Sequence, residues 1–336
     1  MIRPFGLGDV LLIRRLQRQG MSFDLQRSLT GGETPAWAAL TAPFRWWGGG
    51  VMTYVLQQAS GGDERHAGFI QMRLRPGRPE ADVTFIAPAV EGREGDEGMA
   101  ILWRRLLAHC VRQAGERGVQ RIFISAPDEA QETLSLLRQA GFSLYTREEV
   151  YHAAQPFRPT ASPGEGRVRP LAAADEWALR KLYTAITPRL VQQAEGMGGG
   201  QADGPLPPWW ASGYTERFTL RREDGIAGLV AVWTGRRGHC LRLWGDFREA
   251  EEVLALLERG LAALSLLPPR PVYCLVREYQ GGVRSPLAEC GFRLMATWSC
   301  LVKHTVVRLR EPARRALPVL EPRPEPSVPG ALSTGR

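Results

Sequence analysis

Lysine is almost missing from this chain. Of 43 basic residues only Lys181 and Lys303 are lysines, which leaves 41 arginines. The arginines are scattered, with no dense basic run interleaved with aromatics, so they read as the coding bias of a GC-rich genome. The net charge of +8 therefore does not make nucleic acid an expected partner. Cysteine is scarce as well. The five (Cys110, Cys240, Cys274, Cys290, Cys300) form no C-x-x-C pair, and their odd number argues against a disulfide framework. The five histidines form no H-x-H or H-E-x-x-H cluster, so no metal site is expected. No stretch of about 18 apolar residues occurs, and a membrane span is not expected. No basic segment followed by an apolar run opens the chain. The expectation is a cytoplasmic protein with reduced thiols.

What is present is a repeat. Ile2-Arg3-Pro4, Asp9 and Ile13-Arg14-Arg15-Leu16 match Val168-Arg169-Pro170, Asp175 and Leu179-Arg180-Lys181-Leu182. Trp46-Trp47 matches Trp209-Trp210, and Ala67-Gly68-Phe69-Ile70 matches Ala227-Gly228-Leu229-Val230. Leu137-x-x-x-Gly141-Phe142-x-Leu144 matches Leu287-x-x-x-Gly291-Phe292-x-Leu294. The anchors keep their order, as a duplication with later deletions in the second copy requires. With 336 residues, two domains are expected: 1–154 and 167–308. A Pro-containing linker spans 155–166, and a Pro-rich tail at 309–336 is too poor in apolar residues to pack.

Within the first copy, the pattern predicts a short strand at Met1–Arg3 and a helix to about Gly20 capped by Asp9. Strands follow at Val51–Gln57, His66–Leu74 and Ala81–Ala87, the first two joined by a hairpin around Ser60-Gly61-Gly62-Asp63. After a loop from Pro88 to Gly98 comes a helix at Met99–Arg117, whose apolar stripe includes Leu102, Trp103, Leu106 and Cys110. A strand at Arg121–Ser125, a helix at Glu129–Ala140 stopped by Gly141, and a strand at Phe142–Tyr151 complete it. The second copy repeats this with strands at Phe218–Arg222, Ile226–Thr234, His239–Trp244, Val272–Val276 and Phe292–Val302, and a helix at Arg248–Leu264. The fold class expected is α/β, with each copy a mixed, mostly antiparallel sheet flanked by helices.

The I-R-P-x-x-x-x-D opening, the run Ile86-Ala87-Pro88 before a Gly-containing loop and a long helix, and helices closing on Gly141-Phe142 and Gly291-Phe292 resemble the GNAT N-acyltransferase family. The resemblance covers about residues 1–154 and 166–308. It implies two tandem GNAT-like domains and acetyl-CoA as acyl donor. It also implies donor-binding residues at the end of the third strand, in the loop and at the helix start: Ile86, Pro88, Arg93, Gly95, Gly98, Met99 and Ala100. Free N–H groups at a helix start hold a diphosphate, and glycine permits close approach. The family's loop, Gln/Arg-x-x-Gly-x-Gly/Ala, aligns with Gly95-Asp96-Glu97-Gly98-Met99-Ala100. Its first position is Gly95, Arg93 lies two residues early, and Glu91, Glu94, Asp96 and Glu97 add negative charge. In the second copy the loop is reduced to Gly245-Asp246-Phe247. The tyrosine that in many members protonates the leaving thiolate falls at Leu137 and Leu287. Glu80 and Asp82 are the general-base candidates.

The implied function is acetyl transfer to an amine, a small molecule or a peptide, with the donor in the first copy. The alternative is a catalytically inactive pseudo-acyltransferase that binds a ligand or a protein. The tryptophan pairs suit packing or an acceptor pocket. Two copies in one chain suggest a monomer built as an internal pseudo-dimer.

Overall fold

The computed structural model describes residues 1–42, 50–57, 67–92, 96–155, 167–196 and 215–305. The tryptophan pairs at 46–47 and 209–210, Arg93, Gly95, the Ser60–Asp63 hairpin, nearly all of the linker and the Pro-rich tail lie outside the described residues. Residues 1–305 form one compact unit.

In the N-terminal half the elements run β1 (Ile2–Pro4), α1 (Val10–Leu16), β2 (Met21–Ser22), α2 (Leu25–Thr30), α3 (Pro35–Thr41), β3 (Val51–Leu56), β4 (Gly68–Leu74), β5 (Glu80–Ala87), α4 (Glu97–Glu116), β6 (Arg121–Pro127), α5 (Gln131–Gln139) and β7 (Ser143–Ala153). The C-terminal half runs β8 (Val168–Pro170), α6 (Glu176–Ile186), α7 (Arg189–Ala194), β9 (Glu216–Arg222), β10 (Gly225–Trp233), β11 (His239–Gly245), α8 (Ala250–Leu264), β12 (Val272–Arg277), α9 (Arg284–Glu289) and β13 (Arg293–His304). The predicted strands and long helices are found, with ends that coincide or shift by one or two residues, while the first helix, expected to about Gly20, ends at Leu16 and gives way to a 3-10 turn at Gln17–Gln19. The short α2, α3 and α7 and the two-residue β2 were not expected, whereas α9 is the helix expected to close on Gly291-Phe292.

The repeat anchors have physical meanings. Asp9 does not cap α1 as expected. Its carboxylate turns back to take two hydrogen bonds from the Arg3 guanidinium, at 2.6 and 2.7 Å, and one from the Gly6 amide at 2.9 Å. Asp175 does the same with Arg169 at 2.5 Å and Ala172 N at 2.9 Å. Gly68 lies where a Cβ would press on the Ala87 carbonyl and Leu102, while Gly228 faces the Phe247 ring and Leu256. In each half a glycine thus lets the long helix pack closely on the sheet. Gly141 and Gly291 follow α5 and α9 with φ of +85° and +82°, the left-handed stop of a helix. The next amides, Phe142 N and Phe292 N, donate to Leu137 O and Leu287 O at 3.0 and 2.9 Å.

The sheet order is β1-β3-β4-β5-β6-β13-β7-β12-β11-β10-β9-β8, with β2 against β5. This order records an exchange. β13, the last strand of the C-terminal half, pairs antiparallel with β6, from Trp298↔Pro127 to His304↔Arg121. β7, the last strand of the N-terminal half, pairs antiparallel with β12, from Val272↔Ala153 to Arg277↔Glu148. The two exchanged strands pair with each other along most of their length. Each half therefore completes the other's sheet, and neither has a free edge at the junction.

Main cores form under α4 and α5 in one half, with Trp103, Leu106, Ile70 and Leu137, and under α8 and α9 in the other, with Leu256, Leu257, Val230 and Leu287. A smaller core crosses the halves: Leu25 and Leu29 of α2 pack with Cys240 and Leu275 of the C-terminal sheet.

Candidate functional site

Three features meet at one point of the N-terminal half. The first is a bulge. β4 and β5 pair as Gln71↔Phe85 and then Met72↔Val83, so Thr84 is the extra residue. The second is a split. β5 and β6 pair in parallel as Glu80↔Arg121, Ala81↔Ile122 and Asp82↔Phe123, and the pairing ends there. The third is a cavity of about 600 Å³, floored by Gln71, Thr84 and Phe85 and walled by α2 and the start of α3. Such a volume suits a small organic ligand.

The split edge of β5 is covered by the chain itself. Met21 pairs with Ile86 and Ser22 with Phe85, and Phe23 N donates to Thr84 O at 3.0 Å. Ala89 N donates to Gln19 O at 2.6 Å. Gly20 fits flat against this edge. A Cβ there would run into the Phe85 ring and lie 2.8 Å from Ala87 Cβ. Phe23 is buried edge-on against Trp103, and Thr133 Oγ1 donates to Met21 Sδ. Beyond the strand, Trp103 Nε1 donates to Pro88 O at 2.8 Å.

The start of α4 brings Gly98, Met99 and Ala100 together at the end of the loop, with Gly98 exposed. The Met99 amide already donates to the Asp96 carboxylate at 3.1 Å, an internal N-cap. Glu91 likewise accepts from Thr133 N, at the start of α5, at 3.2 Å. Two of the loop acids that looked hostile to a diphosphate, Glu91 and Asp96, therefore have structural uses at helix starts.

Glu80 and Asp82 sit at the opposite end of β5 from this loop. Glu80 is fully buried and pairs with Arg75 at 3.0 Å, Arg78 at 2.8 Å and Arg121 at 3.1 Å. Asp82 takes two bonds from Arg75, at 2.8 and 2.5 Å. These carboxylate oxygens are spent on arginines, and seven residues of strand, roughly 23 Å, separate Glu80 from Ala87. Their geometry is that of an ion-pair cluster rather than of a base beside a reacting amine. Leu137 and Leu287, at the tyrosine positions, are both fully buried.

Cavity residues escaped the sequence reading because they lie on the unexpected α2 and on a loop from the other half. Asp24 caps α2 through Arg27 N at 3.2 Å and pairs with Arg73 at 3.1 Å. The buried Gln71 amide donates to Pro35 O at 2.8 Å and Thr53 Oγ1 at 3.0 Å, fixing α3 on the sheet. Arg236 and Arg237, from the loop between β10 and β11, complete the lining.

The equivalent region of the C-terminal half differs. β10 and β11 pair without a bulge. β11 and β12 pair from His239↔Val272 to Arg242↔Leu275 and then part. The gap holds the Gln280 amide; with its oxygen and nitrogen assigned to suit their neighbours, it donates to Leu243 O and accepts from Gly245 N, each at 3.0 Å. Beside it the Glu195 carboxylate bridges the Tyr183 hydroxyl at 2.6 Å and Arg277 at 3.2 Å. In the first turn of α8, Glu252 accepts from Arg248 N at 2.9 Å and pairs with Arg222. Among the described residues no cluster of His, Cys, Asp or Glu could hold a metal ion, and no helix is long and apolar enough to cross a membrane.

A scan against protein-family models and a search of curated proteins find no match. Solved structures do match. One is a GCN5-related N-acetyltransferase from Sphaerobacter thermophilus, with a TM-score of 0.54 and 14% identity over 91% of this chain and 95% of that one. Another is a tandem GNAT protein from the clavulanic acid biosynthesis pathway, with a TM-score of 0.52 and 12% identity over 91% of this chain and 99% of that one. The chain has a tandem GNAT-like fold.

Proposed function

We propose that this tandem GNAT-like chain is an N-acyltransferase that passes an acetyl group from acetyl-CoA to an amine held in the cavity beneath α2 and α3. The observation that carries this reading is the coincidence of bulge, strand split and cavity at Thr84 and Phe85. A donor lying along the edge from Thr84 to Ala87 would present its thioester to the cavity. The pantetheine amides would pair with the strand near Ile86 and Pro88. The diphosphate would meet the amides of Gly98, Met99 and Ala100, with Arg93 and Gly95 in the same loop. The amine nitrogen attacks the thioester carbon. A C–N bond forms and the C–S bond breaks. The thiolate takes up one proton and the amine gives one up. Holding the two reactants in register supplies most of the acceleration. With Glu80 and Asp82 committed to arginines, Asp24 and Glu33 are the carboxylates that line the cavity itself.

In the state described here, Gln19–Phe23 must leave the β5 edge and Asp96 must release Met99 N before the donor can bind. The backbone bonds involved are worth about 1 kcal/mol each, a cost that the donor's own contacts can offset. One observation favours a second reading, a binding module without catalysis: in both halves the split edge is satisfied by the chain's own groups.

Calorimetric titration with acetyl-CoA separates the two. The enzyme reading expects binding in the micromolar range that is lost in Gly98→Glu, which puts a carboxylate where the diphosphate would lie. No heat at millimolar acetyl-CoA, even after Gly20→Val has pushed the covering segment off β5, would exclude it.

A further inference from the structure

Four arginines line the cavity: Arg27, Arg73, Arg236 and Arg237. Two carboxylates oppose them, Asp24 and Glu33, so the described lining carries an excess of two positive charges. A concave site of one sign concentrates ligands of the other, and guanidinium forks suit carboxylate and phosphate oxygens. Asp24 is engaged with Arg73 and Arg27, so the negative charge deeper in the site is already compensated. Arg236 and Arg237 stand exposed at the side formed by the C-terminal half.

Their placement is built, not incidental. The Arg237 amide donates to Thr30 O at 3.0 Å, at the end of α2. Gly31 has a φ of +79°, and its missing side chain leaves the space taken by the Arg237 methylenes. Gly235 packs on Thr30 with the same closeness, and Arg270 donates to its carbonyl. Gly238 is pressed between Tyr273 and the Pro271 carbonyl. The loop is thus pinned between α2 and the C-terminal sheet, and it holds two cations over a cavity whose floor belongs to the other half.

We propose, on the acyltransferase reading above, that the amine acceptor carries an anionic group, a carboxylate or a phosphate. Arg236 and Arg237 hold that group, leaving the amine toward Thr84 and Phe85. The C-terminal half, with its own split plugged by Gln280, serves as the specificity wall of the N-terminal site.

Ligand-observed NMR on the full chain at low salt tests this with three amines that share a two-carbon spacer: phosphoethanolamine, β-alanine and ethanolamine. One or both anionic amines should bind at least about tenfold more tightly than ethanolamine, and their ranking distinguishes phosphate from carboxylate recognition. Arg236→Glu/Arg237→Glu should weaken the better ligand at least about tenfold, with Arg236→Gln/Arg237→Gln intermediate and an unchanged melting temperature certifying the fold. Arg104→Glu/Arg105→Glu, on the exposed face of α4, should change nothing. Equal affinity for ethanolamine, no binding by either anionic amine, or indifference to the Arg236/Arg237 variants would overturn the proposal. Anionic-amine binding in a protein with no affinity for acetyl-CoA would keep the site and remove the transferase. Acetyl transfer to ethanolamine undiminished in the charge-reversed protein would keep the transferase and remove the anionic acceptor.

Discussion

Near their first strands the two halves agree in atomic detail; around β5 and β11 they do not. The Arg-Pro-x-x-x-x-Asp turn makes the same ion pair and the same backbone bond at Asp9 and at Asp175. The close-packed glycine before the long helix and the left-handed glycine before the last strand are also kept. By contrast, β5 has a bulge at Thr84 and is bordered by a short segment of backbone, whereas β11 has none and is closed by the side chain of Gln280. The contrast separates what holds the fold from what serves a site. A paired strand such as β2 can peel away as a segment. A buried amide with two satisfied bonds, beside a buried Arg277–Glu195 pair, has no comparable way out.

The exchange of β7 and β13 sets the limit on treating the halves as separable. A fragment of residues 1–155 lacks β13 and leaves β6 with an open edge. It should fail to unfold cooperatively and should aggregate, and supplying residues 167–305 in trans should restore soluble material. Circular dichroism melts of the fragment and of the mixed halves make the measurement. A fragment that melts cooperatively as a monomer would mean that β7 can turn back onto β6.

Next in size is the cluster around Glu80. Glu80→Ala leaves Arg75, Arg78 and Arg121 gathered without their shared buried carboxylate, and should cost about 3–5 kcal/mol in urea unfolding. Should stability hold while acetyl transfer disappears, the catalytic role drawn for Glu80 from sequence would regain its place.

Gly20→Val sharpens the contrast between the two splits. Displacing Gln19–Phe23 from Phe85 and Ala87 should raise acetyl-CoA affinity about tenfold or more. Gln280→Leu, which unplugs the other half, should leave it unchanged, because in that half only residues 246–249 connect the strand to α8, too short a loop to cradle a diphosphate. Equal gains from both variants in calorimetry would erase the functional distinction between the halves.

These tests bear on what could be read from the residues. The strand and helix order, the duplication and its glycine anchors were legible because periodicity and punctuation are local properties. The exchange of β7 and β13 was not, since both strands carry the pattern of a last strand whichever half they complete. The covering segment was hidden because Met21-Ser22 is too short for a period to appear. Arg236 and Arg237 looked like two more of many scattered arginines until the loop that holds them was seen against α2. Glu80 and Asp82 were placed correctly on their strand, but the arginines that enclose them come from Arg75, Arg78 and Arg121, and a linear pattern does not show such convergence. Arg93 and Gly95 lie outside the described residues and remain part of the donor proposal.

The smallest effect tests the part of the comparison in which the halves agree. Hydrogen bonds from Arg3 hold the Asp9 carboxyl below its ordinary range, assisted by the Gly6 amide, although burial acts the other way. Asp175 is held low in the same manner by Arg169 and the Ala172 amide. A carboxylate whose pKa is lower folded than unfolded adds stability that is complete above the unfolded value, about 3.9, and is lost as pH falls through the folded one. Asp9→Asn and Asp175→Asn should therefore each cost about 1–3 kcal/mol near neutral pH. The cost should be similar for the two and nearly additive, since they lie in separate turns. Below about pH 4 both penalties should begin to shrink, because the unfolded carboxylates then take up protons, and they should vanish only once pH has fallen through the lowered folded values. Urea unfolding at pH 7 and pH 3 measures both points. A penalty at only one of the two positions would mean that the shared turn holds the fold in one half and merely survives in the other.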